Sequence, residues 1–244
     1  MRFYGKGLPK VDATQLHGKL IVIEGADGSG RSTQIELLRQ WLERRGYPTV
    51  SFGLKRSTLV AAELEKAMQG NTLSPITLSL FYATDFADQL ENTIIPALKS
   101  GFVVAADRYI YSLMARSVVR GASFDWIREV YGIALVPDAV FYLKVRPKVL
   151  VERNFQKQGV LDYWESGMDI LRSRDMFESF IKYQGQMQKV FKRMEGEYGF
   201  VTINGDRAPA AIQKELQRGI EKILDSSPEK PEPAPVAVIE QEAG

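Results

Sequence analysis

Gly25-Ala26-Asp27-Gly28-Ser29-Gly30-Arg31-Ser32 follows the pattern G-x-x-x-x-G-K-[ST], with Arg31 at the lysine position. Backbone N–H groups of such a turn, together with the helix start behind it, form a concave donor surface for phosphate. Gly25, Gly28 and Gly30 permit the turn and let an anion approach the main chain. Ser29, Arg31, Ser32 and Thr33 complete the candidate phosphate set, and the Ser32 hydroxyl is placed to ligate Mg²⁺. Arg31 keeps the charge of a lysine but is longer, planar and donates as a fork. Two outcomes stay open: Arg31 bridges the phosphates with a different geometry, or the site binds nucleotide and transfers phosphoryl slowly.

A second candidate pair is Asp107-Arg108, directly after the apolar run VVAA. Open α/β sheets place ligands at the carboxyl ends of parallel strands. Adjacent opposite charges at such an end suit a cation and an anion. The only His, His17, lies outside the folded body, so a Ser/His/Asp arrangement is not available. With no Cys, disulfide and thiolate chemistry are excluded.

The elements that must hold these residues alternate. Leu20–Ile23 is apolar at every position, as in a strand buried on both faces. A helix is expected from Arg31 to Arg45, stopped by Gly46, then a strand over Thr49–Phe52 and a helix over Thr58–Met68 ended by Gly70-Asn71. Ser74-Pro75 starts a long helical segment to Lys99. Further strands are expected at Phe102–Ala106, Ala139–Leu143 and Phe200–Ile203. Helices are expected within Tyr109–Leu135, from Pro147 to Gln158, over Ile170–Glu195 and over Ala208–Leu224, with a loop at Gly159–Gly167. Strand-helix alternation implies an α/β fold with a parallel sheet and helices on both faces.

Three parts follow: an N-terminal extension over 1–18, one domain over 19–224, and a Pro- and Glu-rich tail over 225–244 expected to be disordered. The acids of that tail leave the body more basic than the whole-chain charge of +2, which suits a small polyanion rather than a nucleic acid polymer. No apolar run reaches the roughly 18 residues of a membrane span. The N-terminus has no continuous apolar segment of the signal-peptide kind, so a cytoplasmic location is expected.

Three motifs in order resemble those of thymidylate kinases: IVIEGADGSGRSTQ, LFYATDFADQLENTIIPAL and DRYIYSLMARS. The resemblance runs from Lys19 to Asp206. It implies a P-loop kinase fold with a five-stranded parallel sheet, and a nucleoside monophosphate kinase that moves the ATP γ-phosphoryl to dTMP with Mg²⁺. It also implies a homodimer. By the same resemblance Asp27 meets the acceptor's sugar hydroxyl, Asp107 holds the magnesium shell, Arg108 clamps the acceptor phosphate and Tyr82 stacks on the base.

The sequence also departs from the family pattern. Phe86 stands where the family has a base-reading Arg, and Arg116-Ser117 replace a Tyr-Gln pair. After the second strand, Lys55 or Arg56 replaces the usual phosphate-binding Arg. The stretch ERNFQKQGVLDYWESGMD stands in place of an Arg-rich lid. There Arg153 is the candidate for the transferring phosphoryl, and Asp162 and Glu165 match a D-x-x-E pattern. Arg172 and Arg174 follow, and Tyr163 and Trp164 are placed to cover the site. The acceptor set is thus Asp27, Arg56, Tyr82, Arg108 and Arg116, and the catalytic set Arg31, Asp107 and Arg153. Two alternatives stay open: an impaired nucleotide-binding relative, and a kinase of this fold with another acceptor.

Overall fold

The computed structural model describes residues 1–69, 73–171 and 173–225. Its centre is a five-stranded sheet, all parallel, in the order β2-β3-β1-β4-β5. The strands are β1 (Lys19–Gly25), β2 (Thr49–Gly53), β3 (Val103–Asp107), β4 (Ala139–Lys144) and β5 (Val201–Asn204). Between them run α1 (Arg31–Arg44), α2 (Ala61–Gln69), α3 (Pro75–Gln89), α4 (Ile95–Lys99), α5 (Ile110–Val119) and α6 (Phe124–Val130). Then come α7 (Pro147–Gln158), α8 (Met168–Leu171), α9 (Met176–Tyr198) and α10 (Pro209–Asp225).

Period-two alternation sends successive strand residues to opposite faces. Ile21, Ile23, Val103, Ala105, Phe141 and Leu143 pack with Ile35, Leu38 and Leu42 of α1 and Ile212, Leu216 and Ile220 of α10. Leu20, Val22, Val104, Ala106, Val140 and Tyr142 pack on the other face with residues of α3, α4, α5 and α9. Helices therefore cover both faces, and β1 is fully interior, as its unbroken apolar run requires.

The segment after Ser74 is not one helix. Ser74 caps α3 by accepting the Thr77 N–H, and Pro75 occupies the first turn. The chain then makes a π-helical turn over Leu90–Ile94 before α4. Pro96 explains the wide turn: it has no N–H, and its ring excludes the carbonyl four residues back. The expected helix over Ile170–Glu195 is likewise divided, because Asp175 caps α9 through the N–H groups of Phe177 and Glu178.

Residues 1–18 lie against the body. Phe3 bridges Leu135, and the Tyr4 hydroxyl bonds that of Tyr111 at 2.6 Å. Asp225, assigned to the tail on composition, is instead the last residue of α10. The rest of the expected disordered tail, Gly70-Asn71 and Arg172 lie outside the described residues.

Candidate active site

Strand register brings the two charged motifs together. Ile23 pairs with Asp107, so the turn after β1 and the Asp107-Arg108 pair emerge side by side at the carboxyl edge of the sheet. Gly25, Gly28 and Gly30 all have positive φ. A Cβ on Gly28 would stand 2.8 Å from Asn154 Nδ2, and one on Gly25 would stand 2.6 Å from Ser29 Oγ. The turn thus needs glycine both for its conformation and for its closeness to neighbouring groups. Gly30 caps α1 in a left-handed conformation, and Ser32 and Thr33 lie in the first turn of that helix.

Arg31 is buried and folds back into the turn. Its Nη1 donates to the carbonyls of Gly25 and Ala26. Its Nε donates to Asp107 Oδ1 at 2.7 Å, and its Nη2 to Asp27 Oδ1 at 3.2 Å. Ser32 Oγ donates to the other Asp107 oxygen at 2.8 Å. Arg108 takes a left-handed backbone conformation, φ +72°, and its Nη2 donates to Asp27 Oδ1 at 2.7 Å. A single Asp27 oxygen therefore lies between the guanidinium of the phosphate turn and that of β3's end. Arg153, on α7, reaches the same turn with Nη1 3.4 Å from the Gly28 carbonyl.

A cavity of about 210 Å³ opens beside these groups. Its walls bring together Asp27, Arg31, Arg56, Tyr82, Asp107, Arg108 and Arg116. Asp162, Trp164 and Glu165 of the segment between α7 and α8 line it as well. Glu165 accepts from Arg116 Nη2 and lies 3.5 Å from Arg108 Nη1. Trp164 Nε1 donates to the Met68 carbonyl at 3.2 Å, which draws this segment across to α2. Phe86 is turned away into an aromatic cluster, its ring 5.2 Å from Tyr109 and 5.8 Å from Tyr131. Lys157 and Arg174 are exposed and do not line the cavity.

Burial pushes the Asp27 carboxyl up, but Arg108 and Arg31 outweigh it and hold the group well below the usual carboxylate range. Asp107 follows the same balance, with Arg31 the main opposing charge, and is also lowered. A lowered carboxylate contributes stability above its unfolded pKa, near 3.9, and loses it as pH falls through the folded value. The stability lost by Asp107→Asn is therefore expected to be greatest near pH 7 and to shrink below about pH 4. Urea unfolding of wild type and variant at stepped pH measures this, and a difference that grows toward acid would contradict it.

Three bracing residues escaped the sequence reading. Glu24, fully buried in β1, accepts the N–H groups of Tyr109 and Ser112 and the Ser112 hydroxyl, fixing the start of α5. Asp85 accepts the N–H groups of Lys55 and Ser57 and so holds the loop carrying Arg56. Asn154 Nδ2 donates to the Asp27 carbonyl at 3.0 Å and supports the phosphate turn from α7. A charge inside the apolar run LIVIEG and another on the buried face of α3 were the available signals for the first two.

The donor set tests the fit of a magnesium ion. Ser32 Oγ and the Asp107 carboxylate are hard oxygens 2.8 Å apart. Among the described residues no cluster of three or more His, Cys, Asp or Glu side chains forms a metal cage. Magnesium is ordinarily held by one or two protein oxygens together with phosphates and waters, so these residues suit it.

A parallel sheet with a Gly-rich turn after β1 and an Asp-Arg pair at the end of β3 is the layout of a P-loop phosphotransferase. The thymidylate kinase family model matches residues 23–216. A probable thymidylate kinase 2 of Saccharolobus solfataricus is 37% identical over 213 residues, covering 87% of this chain and all of that one. A probable thymidylate kinase of Methanosarcina barkeri is 32% identical, covering 86% and 98% respectively. One from Pyrococcus abyssi is 30% identical, covering 73% and 87%. The chain belongs to the thymidylate kinase family.

Proposed function

We propose that this protein is an active kinase that transfers the γ-phosphoryl of ATP to dTMP, giving dTDP and ADP. The observation that carries the proposal is the placement of Arg31 and Arg108 on one Asp27 oxygen. Two cations meet there across a cavity bordered by the phosphate turn, as a donor and an acceptor that both carry phosphate would need.

The residue roles are those the family resemblance implies, and the meeting of these residues around one cavity supports them. Amides over 26–33 and the guanidinium of Arg31 hold the triphosphate. Ser32 and Asp107 would hold magnesium, which supplies neutralising charge on the triphosphate. Arg108 and Arg56 grip the acceptor phosphate; the Arg108 Nε is buried without a partner and is free to donate. Asp27 meets the sugar hydroxyl, and Tyr82 stacks on the base. Arg153 stabilises the transferring phosphoryl. An oxygen of the dTMP phosphate attacks the γ-phosphorus in line, the bond to the β-phosphate oxygen breaks, and ADP leaves.

A coupled ADP-release assay over a panel of nucleoside monophosphates tests the assignment. Turnover with dTMP is expected. Turnover only with another acceptor, or nucleotide binding without turnover, would reject it. The same reading carries a cytoplasmic location and a homodimer, the latter checked by the mass from light scattering.

A further inference from the structure

The acceptor cavity has two chemically different ends. Near β1 and β3 it is lined by Asp27, Arg31, Asp107 and Arg108. Away from that end Met68, Tyr82 and Trp164 meet, an apolar and aromatic wall suited to a flat ring. Hydrogen-bonding groups there are few. The Trp164 indole N–H is spent on the Met68 carbonyl. The Tyr82 hydroxyl is buried against Met68 Sδ at 3.4 Å.

Arg116 enters this end from α5, with its guanidinium 5.9 Å from the Tyr82 ring centroid. It is buried, and its two terminal nitrogens are unequally used. Nη2 is paired with the Glu165 carboxylate. Nη1 donates to the neutral Tyr82 hydroxyl at 3.3 Å, long for a charged donor, whose bonds to good acceptors run about 2.7–2.9 Å. One terminal nitrogen is fixed by a carboxylate, and the other, beside the Tyr82 ring, has only the phenol oxygen as its acceptor.

We propose that Arg116 selects the acceptor's base, donating from Nη1 to the ring carbonyl at position 4 of a pyrimidine stacked on Tyr82. The proposal rests on the acceptor site described above. Glu165 is the positioning residue, fixing the plane of the guanidinium through Nη2. Thymine and uracil present a carbonyl oxygen at that position, whereas cytosine presents an amino donor. Cytosine would set donor against donor in a buried place and leave Nη1 unsatisfied. A site built to hydrogen-bond one group discriminates strongly against an analogue that lacks it.

Calorimetric titration with dTMP, dUMP, dCMP and UMP, in the wild type and in Arg116→Met and Arg116→Gln, tests this. The wild type is expected to bind dTMP and dUMP well ahead of dCMP. Arg116→Met is expected to weaken dTMP and dUMP by about 10- to 100-fold and dCMP by less than about 3-fold. Arg116→Gln, whose amide both donates and accepts, is expected to erase the preference and is the milder change should the first variant unfold. Equal loss for all four nucleotides in either folded variant would overturn the role of Arg116. A wild type that fails to bind dTMP would overturn the acceptor site and this proposal with it. Binding of dTMP with an unchanged base preference in both variants would overturn the proposal alone.

Discussion

Arg31→Ala is expected to lower kcat by about 10²- to 10³-fold, the cost of removing one preorganised donor from a charge-stabilising site. The guanidinium is tethered by two carbonyls of the phosphate turn and by Asp27 and Asp107. Each of its nitrogens already donates to a protein oxygen, so it meets an arriving phosphate as a fixed charge rather than as a free donor. Its removal also leaves the Asp107 carboxylate without a cation beside a triphosphate, where its charge opposes binding, while Asp27 keeps Arg108. Arg31→Lys separates these effects. Lysine restores one charge but not the fork that serves Asp107 and Asp27 together, so partial recovery is expected. Steady-state kinetics with ATP varied at saturating dTMP measures both variants. Unchanged turnover in Arg31→Ala would show that the substituted lysine position contributes nothing.

Arg108→Met is expected to act on the other substrate. Arg108 is almost wholly buried, its Nη2 committed to Asp27 and its Nε without a partner. Loss of the Arg108 grip on the acceptor phosphate should lower kcat/KM for dTMP by about 10³-fold, since the transition state depends on that phosphate being held in line. The KM for ATP should change far less, because the phosphate turn keeps its own donors. Equal effects on both substrates would indicate a general disturbance through Asp27 rather than an acceptor clamp. Retention of the thermal unfolding midpoint within a few degrees serves as the control.

Much of this was legible in the chain because it depends on local order. The run LIVI could only be a fully buried strand, and the glycines after it could only be a turn. The alternation of strands and helices led to the five-stranded parallel sheet found here. The segment between Ser74 and Lys99 was less legible, because Pro96 reveals a break but not how the chain absorbs it; a π-helical turn does so. The bracing residues were illegible for a different reason. Asp85 acts on a loop 28 to 30 positions away, and Asn154 bonds the Asp27 carbonyl 127 positions away. Such contacts are set by packing and leave no periodic trace. Phe86 was legible only as a departure from the family pattern; its place in the core, packed on Tyr109 and Tyr131, is set by tertiary packing.

Departures from the family pattern gain sense as a set. Phe86 on α3 is in the core while Arg116 on α5 enters the cavity, and Glu165 stands between Arg116 and Arg108. Asp27, Asp107 and Glu165 there pair with Arg31, Arg108 and Arg116, so removing one member leaves a buried charge uncompensated.

The whole account depends on the cradle between Ala26 and Thr33 taking a nucleoside triphosphate with arginine in the lysine position. Isothermal titration of the wild-type protein with ATP and magnesium tests that most directly. A saturating heat at one nucleotide per chain, lost in Arg31→Ala, is the predicted result. No heat with ATP and magnesium, under conditions where the protein is folded, would contradict the account.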